Sequence, residues 1–387
     1  MTRMRLRDLG ITIGDFPTGP YNAITDVPGV WVGHHTLIYD QPRVARTGVT
    51  VIVPREDQIW HDYAFAGYYS FNGNGEMTGL PWLDESGMLG SAIGLTNTHQ
   101  VGIVRDALVA YSVEKGYARG FLLPVVAETY DGWLNDIDAF HLTKEHVYAA
   151  LAEAKPGPVA EGNVGGGTGM ICHWFKGGIG TSSRVVESKS GAYTVGILVQ
   201  TNYGDRPLFR VDGVPVGREI DHNHIPSPRG QPQPGSSIIV IIGTDAPLLP
   251  VQCKRLARRA TVGLARVGGT GYNGSGDIFL AFATGNHLPA ETNAPYDLKM
   301  LPHEHLDSFF NATAEAVEEA ILNALTAAET MTGFQGRVVH ALPLDALQQV
   351  MAKYRPGYQA SRGESAQKTW GSLIAAYPGF SGNPRFF

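Results

Sequence analysis

The segment Gly235-Ser236-Ser237-Ile-Ile-Val-Ile-Ile242 sets a serine pair against the most apolar run of the chain. The commonest duty of a serine in such a place is to start a strand. A second reading is chemical. If the backbone were cut just before a serine, that residue would carry both a hydroxyl and a free α-amine. An α-amine has a pKa of about 7.7–8.0. Near neutral pH part of it is unprotonated and can take the proton of its own hydroxyl, which is the N-terminal form of nucleophile activation. The stretch upstream, Asp221–Gly235, reads DHNHIPSPRGQPQPG. Its four prolines cannot supply a ladder of backbone donors. It is expected to be an exposed loop or linker, and its length suits a functional or processed segment.

Three further segments carry groups that such a nucleophile needs. In Asn273-Gly-Ser275-Gly-Asp277 the serine and the aspartate are two apart, so on an extended chain they face the same way. A carboxylate beside a hydroxyl can accept hydrogen bonds from an amine and orient it. In Glu128-Thr-Tyr130-Asp131-Gly132 the carboxylate could bind a cationic substrate group, and the phenol could donate to an oxyanion. In Gln200-Thr-Asn202-Tyr-Gly204 the amide is a candidate oxyanion donor, a role worth about 2.7–4 kcal/mol of transition-state stabilisation. Each of the three, taken alone, reads more readily as a polar strand end or turn.

Other signals are weak. Gly162-Asn-Val-Gly165-Gly-Gly-Thr-Gly169 lacks the Gly-Lys-Ser/Thr ending of a phosphate loop and the setting of a dinucleotide turn. His34-His35, His222-Asn-His224 and His303-Glu-His305 match neither HExxH nor a zinc spacing. No metal or cofactor is expected. The histidines at 222 and 224 are expected to be solvated.

These groups need elements to hold them. Short β-branched runs at Val49–Val53, Phe121–Val126, Thr194–Gln200, Ser237–Ile242 and Ile278–Ala283 read as buried strands. Helices are expected over Arg105–Lys115, Thr143–Ala154 with Thr143 as N-cap, Pro250–Val267, Asp307–Thr330 and Leu344–Tyr354. Strands and helices along the whole chain make the class α+β, in packed layers. The 387 residues are 43 % hydrophobic and 17 % charged, with a net charge of −6. That excludes global disorder and argues against non-specific nucleic-acid binding, which needs clustered Lys and Arg. The 48 glycines follow no three-residue period, so collagen is excluded. Only two cysteines, no apolar stretch of spanning length and no signal-like N-terminus lead to the expectation of a soluble cytoplasmic protein without membrane partners.

Taken in order, these segments resemble the self-processing aminopeptidase family that includes L-aminopeptidase/D-esterase and the β-peptidyl aminopeptidases. The resemblance rests on Ile24-Thr-Asp-Val-Pro-Gly-Val-Trp-Val-Gly33, on Gly73-Asn-Gly-Glu-Met-Thr-Gly79 and on Ser86-Gly87 and Leu95-Thr-Asn-Thr-His99. Val126-Ala-Glu-Thr-Tyr-Asp-Gly132, Gly165-Gly-Gly-Thr-Gly169, Gln200-Thr-Asn-Tyr-Gly204, Ser237–Pro247 and Ser275-Gly-Asp277 complete it. It covers nearly the whole chain. It implies a layered α/β/β/α sandwich like that of N-terminal nucleophile hydrolases, with different connectivity. It implies one catalytic domain over residues 1–387 that cuts itself into 1–236 and 237–387. Ser237 would be the nucleophile and its new amine the base, with Ser236 as the other candidate for the cut. Ser275 and Asp277 would hold the amine, where some relatives carry a glutamate at the second position. Asn202 and Tyr130 would serve the oxyanion, and Glu128 would pair with the free amino group of a peptide, amide or ester substrate. Some β-peptide-cleaving relatives lack the tyrosine, so its presence here points to L-α-amino substrates. A β-peptidyl aminopeptidase with the same chemistry is the alternative, and a non-catalytic glycine-rich binding scaffold the more distant one. The resemblance further implies a homotetramer of processed heterodimers.

Overall fold

The run from Ser237 to Ile242 buries both faces of a strand, and two layers must therefore close over it. A computed structural model describes residues 3–117, 120–189, 191–228 and 236–358, with only the backbone described at 236. In chain order the first strands are β1 (Trp31–Tyr39), β2 (Ala45–Val53), β3 (Asp62–Gly73), β4 (Met88–Leu89), β5 (Ile93–Asn97) and β6 (Val125–Thr129). Then follow β7 (Ile171–Cys172), β8 (Phe175–Lys176), β9 (Gly178–Ser188) and β10 (Gly191–Asn202). The last are β11 (Ser236–Thr244), β12 (Ser275–Pro289), β13 (Met331–Thr332) and β14 (Val338–Val339). The helices are α1 (Leu80–Ser86), α2 (Val101–Glu114), α3 (Lys144–Ala152), α4 (Val216–Glu219), α5 (Pro250–Val267), α6 (Leu306–Ala327) and α7 (Leu344–Tyr354).

One sheet has six strands in the order β4-β3-β12-β11-β10-β9, the other four in the order β1-β2-β5-β6. Alternation along β11 assigns each side chain to a layer. Ile238, Val240 and Ile242 enter the core under α5 and α6. Ile239 and Ile241 enter a second core between the two sheets, with Ile52, Leu95 and Ala127 of the smaller sheet. A third core seals α2 and α3 onto the outer face of that smaller sheet. The result is the α/β/β/α sandwich.

Element boundaries follow local chemistry. α5 starts on Pro250 and stops at Gly268, whose φ of 110° closes the helix. The Thr143 N–H donates to His146 Nδ1 at 3.0 Å, which opens α3 at the next residue. α2 begins earlier than expected because the Asn97 side chain caps the preceding turn, accepting from the His99 and Gln100 N–H groups. The strand expected at Phe121–Val126 is a correction. It begins at Val125, after Pro124 has removed a donor, and Phe121 is 72 % exposed. Strand β9 escaped the apolar pattern because it buries Thr181, Ser182, Ser183 and Arg184. The Arg184 guanidinium is held there by Glu319 at 2.7 Å and Glu315 at 3.3 Å, both from α6.

The glycine run at 165–167 is a buried turn between the sheets. A Cβ on Gly166 would stand 2.7 Å from the Leu95 carbonyl oxygen, so this glycine serves close backbone approach. Of the polar segment Asp221–Gly235, residues 221–228 are half-buried or exposed turns, and the remainder lies outside the described residues. His224 is exposed beside Asp221 as expected, but His222 packs on Trp174 with ring centroids 4.8 Å apart. Among the described residues no helix is long and apolar enough to cross a membrane.

Candidate active site

Strand register brings three distant segments to one level of the larger sheet. In the antiparallel pair β10–β11, Asn202 stands opposite Ser237. In the parallel pair β11–β12, Ser236 stands beside Ser275, Ser237 beside Gly276 and Ile238 beside Asp277. The Gly276 N–H donates to Ser237 Oγ at 3.2 Å. A Cβ on Gly276 would lie 2.5 Å from the Asn74 carbonyl oxygen, so only glycine lets the end of β3 pass here. Ser236 and Ser237 are consecutive residues of β11, so in the uncut chain the nitrogen of Ser237 is an ordinary amide.

The Asn202 amide is fixed on two sides. Its Oδ1 accepts from the Ile171 N–H at 2.9 Å, and its Nδ2 donates to the Tyr130 carbonyl oxygen at 3.0 Å. An amide nitrogen carries two hydrogens, and the second finds no partner among the described residues. Ser275 and Asp277 do share a face. The serine hydroxyl donates to the carboxylate at 2.6 Å, and both side chains are buried. Burial pushes the Asp277 carboxyl up to about 6, against the opposing effects of the Ser275 hydroxyl and the Ile238 N–H.

The other sheet supplies Glu128, at the end of β6. Its carboxylate accepts from the Glu76 N–H at 3.0 Å and from the Thr98 hydroxyl. Burial raises its pKa, and those two donors pull it back. Tyr130 follows just beyond the strand and is 46 % exposed.

A cavity of about 850 Å³ joins these groups. Ser237, Asn202, Tyr130 and Glu128 line it, together with Asn74, Glu76, Thr98, Trp133 and Arg337. Ser275 and Asp277 do not line it; they lie on the neighbouring strand beside the backbone of Ser236 to Ile238. Asn74 and Glu76 belong to a glycine-rich motif that the sequence had marked without assigning a role. Trp133 and Arg337 gave no signal in the sequence, because nothing local ties position 337 to position 133.

Comparison with known proteins gives the family. The model of "Peptidase family S58" matches residues 22–339. A beta-peptidyl aminopeptidase, BapA of Sphingosinicella microcystinivorans, is 46 % identical over 368 residues, which is 91 % of this chain and 92 % of that protein. The structure of a beta-aminopeptidase from a Burkholderia species shares 54 % identity and a TM-score of 0.86, over 90 % of this chain and 99 % of that one. The L-aminopeptidase D-Ala-esterase/amidase of Ochrobactrum anthropi shares 45 % identity and a TM-score of 0.85, over 92 % of this chain and 99 % of that one. That enzyme is described as a prototype for the serine aminopeptidases and as a new variant among the Ntn hydrolase fold. This chain belongs to peptidase family S58, a hydrolase of peptide bonds built on that variant of the N-terminal-nucleophile fold.

Proposed function

We propose that the chain cuts itself between Ser236 and Ser237 into parts of 236 and 151 residues, and that Ser237 is then the nucleophile of an aminopeptidase. The observation that carries this reading is the shared cavity of Ser237, Asn202 and Glu128. The freed amine takes the Ser237 hydroxyl proton as Oγ attacks the substrate carbonyl carbon. Asn202 offers its second amide hydrogen to the oxyanion, and Tyr130 stands at the rim as a second donor. Collapse breaks the C–N bond, and the protonated amine gives its proton to the leaving nitrogen. Water then hydrolyses the ester at Ser237. Ser275 and Asp277 hold the base, and Glu128 pairs with the substrate ammonium, so that only N-terminal residues leave. Intact mass and N-terminal sequencing test the cut. The expected result is a new terminus Ser-Ile-Ile-Val, and a fully active uncut chain of 41.7 kDa overturns the mechanism.

Two readings of the acyl side are open to one assay. Tyr130 supports L-α-amino substrates, whereas identity to the two β-aminopeptidases supports β-amino ones. Matched amides of an L-α-amino acid and a β-homoamino acid, compared by kcat/KM, decide between them. A tetramer of processed heterodimers is part of the same proposal and is tested by light scattering.

Glu128→Gln keeps the shape and an acceptor but loses the charge. KM for free-amine substrates is expected to rise about tenfold or more, with a smaller change in kcat. An equal fall in kcat and kcat/KM would instead place Glu128 in the chemical step.

The pH dependence of cutting and of turnover should differ. The Asp277 carboxyl, lifted to about 6, becomes protonated as pH falls through that value. Self-processing is therefore expected to slow below about pH 6, by up to tenfold per unit. After the cut, a new ammonium beside Asp277 lowers its pKa. The acid limb of turnover then reports the α-amine, which ordinarily titrates at about 7.7–8.0. Coincident limbs would show that the amine is not the base. The same carboxyl affects stability with the opposite sign. Between its ordinary value and about 6 the folded chain keeps a proton that the unfolded chain has lost, so its contribution to stability falls as pH rises through that window.

A further inference from the structure

The cavity carries two carboxylates, Glu76 and Glu128, and among the described residues one cation, Arg337. Aminopeptidase chemistry explains a carboxylate but asks for no guanidinium. Arg337 is half-buried, immediately before β14. Its Cζ lies 4.1 Å from the centroid of the Trp133 ring. Its Nη1 donates to the Trp133 carbonyl oxygen at 3.3 Å and its Nη2 to Gln335 Oε1 at 2.5 Å. Among the described residues no carboxylate pairs with it. The result is a positive group fixed by stacking and two neutral acceptors, with its charge uncompensated inside a cavity whose other charges are negative.

The chain itself limits how far this cation stands from the amine-binding acid. Glu128 and Trp133 are five residues apart, so their Cα atoms are at most about 18 Å from each other. A turn shortens that span, since the Leu134 and Asn135 N–H groups both donate to the Asp131 carbonyl oxygen. An acid and a guanidinium held within that limit, with Ser237 lining the same cavity, suit a zwitterion of a few residues. A planar guanidinium is suited to a carboxylate, which it can bind through two parallel N–H bonds.

We propose that Arg337 binds the free C-terminal carboxylate of the substrate, and that the preferred substrates are short peptides carrying both a free amine and a free carboxylate. This specificity rests on the aminopeptidase reading above and adds a leaving-group subsite to it. Amides and esters lacking the carboxylate remain substrates, bound less tightly.

The test uses one dipeptide in two forms, free acid and C-terminal amide, together with the p-nitroanilide of the same N-terminal residue. The processed protein is expected to favour the free acid over the amide by about tenfold in kcat/KM, chiefly through KM, and the preference should shrink with added salt. Arg337→Met keeps much of the apolar stem and removes the charge. It should abolish the preference by weakening the free acid alone, and Arg337→Lys should restore part of it. Equal turnover of acid and amide by the unaltered protein overturns the inference, whether or not the variants fold. So does an Arg337→Met variant that loses both substrates equally, since the residue would then only hold the Trp133 loop. Release of p-nitroaniline reports the underlying activity. Its absence sinks the aminopeptidase reading itself, whereas its presence without an acid preference sinks only this subsite.

Discussion

Ser237→Ala leaves a single uncut chain with no measurable peptidase, amidase or esterase activity. Two losses combine in this variant. The hydroxyl lost is the one that accepts from the Gly276 N–H at 3.2 Å, on a residue that lines the cavity. Without the cut, moreover, the nitrogen at 237 stays an amide, whose lone pair is delocalised into the carbonyl and cannot act as a base. Loss of a nucleophile together with its base lowers kcat by a factor on the order of 10⁶ in enzymes where the two act as a unit. The fold should survive, because the substitution removes one small hydroxyl at the end of a strand whose packing is made by Ile238 to Ile242. Intact mass and a p-nitroanilide assay on the same preparation read both effects. Normal cutting in the variant would move the cut to Ser236 or to an outside protease, and undiminished turnover would remove Ser237 from the chemistry.

Asn202→Ala is expected to lower kcat by about 10²–10³, the usual cost of losing one oxyanion donor, with a small change in KM. The alanine also leaves the Ile171 N–H and the Tyr130 carbonyl oxygen without their present partners. Some loss of stability is therefore expected as well, and the catalytic effect has to be separated from it. Asn202→Asp does so. An aspartate can still accept from the Ile171 N–H, but it offers a negative charge where the asparagine offers a hydrogen. If the amide stabilises the oxyanion, the aspartate variant is at least as inactive as the alanine variant while melting closer to the unaltered protein. An aspartate variant that turns over better than the alanine variant would make Asn202 a packing residue. The proposed cut passes through an oxyanion at the carbonyl of Ser236, so the rate of self-processing is expected to fall in the same order.

Much of this candidate site was legible along the chain because the segments that carry Ser237, Ser275, Asp277, Glu128 and Asn202 advertise themselves locally, whereas Trp133 and Arg337 do not. A serine ahead of a run of β-branched residues, a serine and a carboxylate two apart, and polar residues at the ends of apolar runs are all features of adjacent residues. The same holds for α5, bounded by a proline and a glycine, and for α7, whose ends agree with the apolar spacing. Periodicity fails where burial is polar. β9 hides Arg184 against the carboxylates of α6, and no count of apolar residues reveals a strand held by an ion pair. It fails again at Pro124, where the apolar run is longer than the hydrogen-bonded strand.

What the amino-acid order determined was which residue types sit together within a few positions and which strand faces must be buried. It did not determine what those faces meet. That Glu128 comes from the smaller sheet to share a cavity with Ser237 of the larger one is a fact of sheet-on-sheet packing, and so is the stacking of Arg337 on Trp133 across two hundred residues. Alternation of apolar side chains fixes a direction of burial, since it follows from the geometry of one strand. The partner in that direction is chosen by the collective fit of all the layers, and no single stretch of chain contains that information.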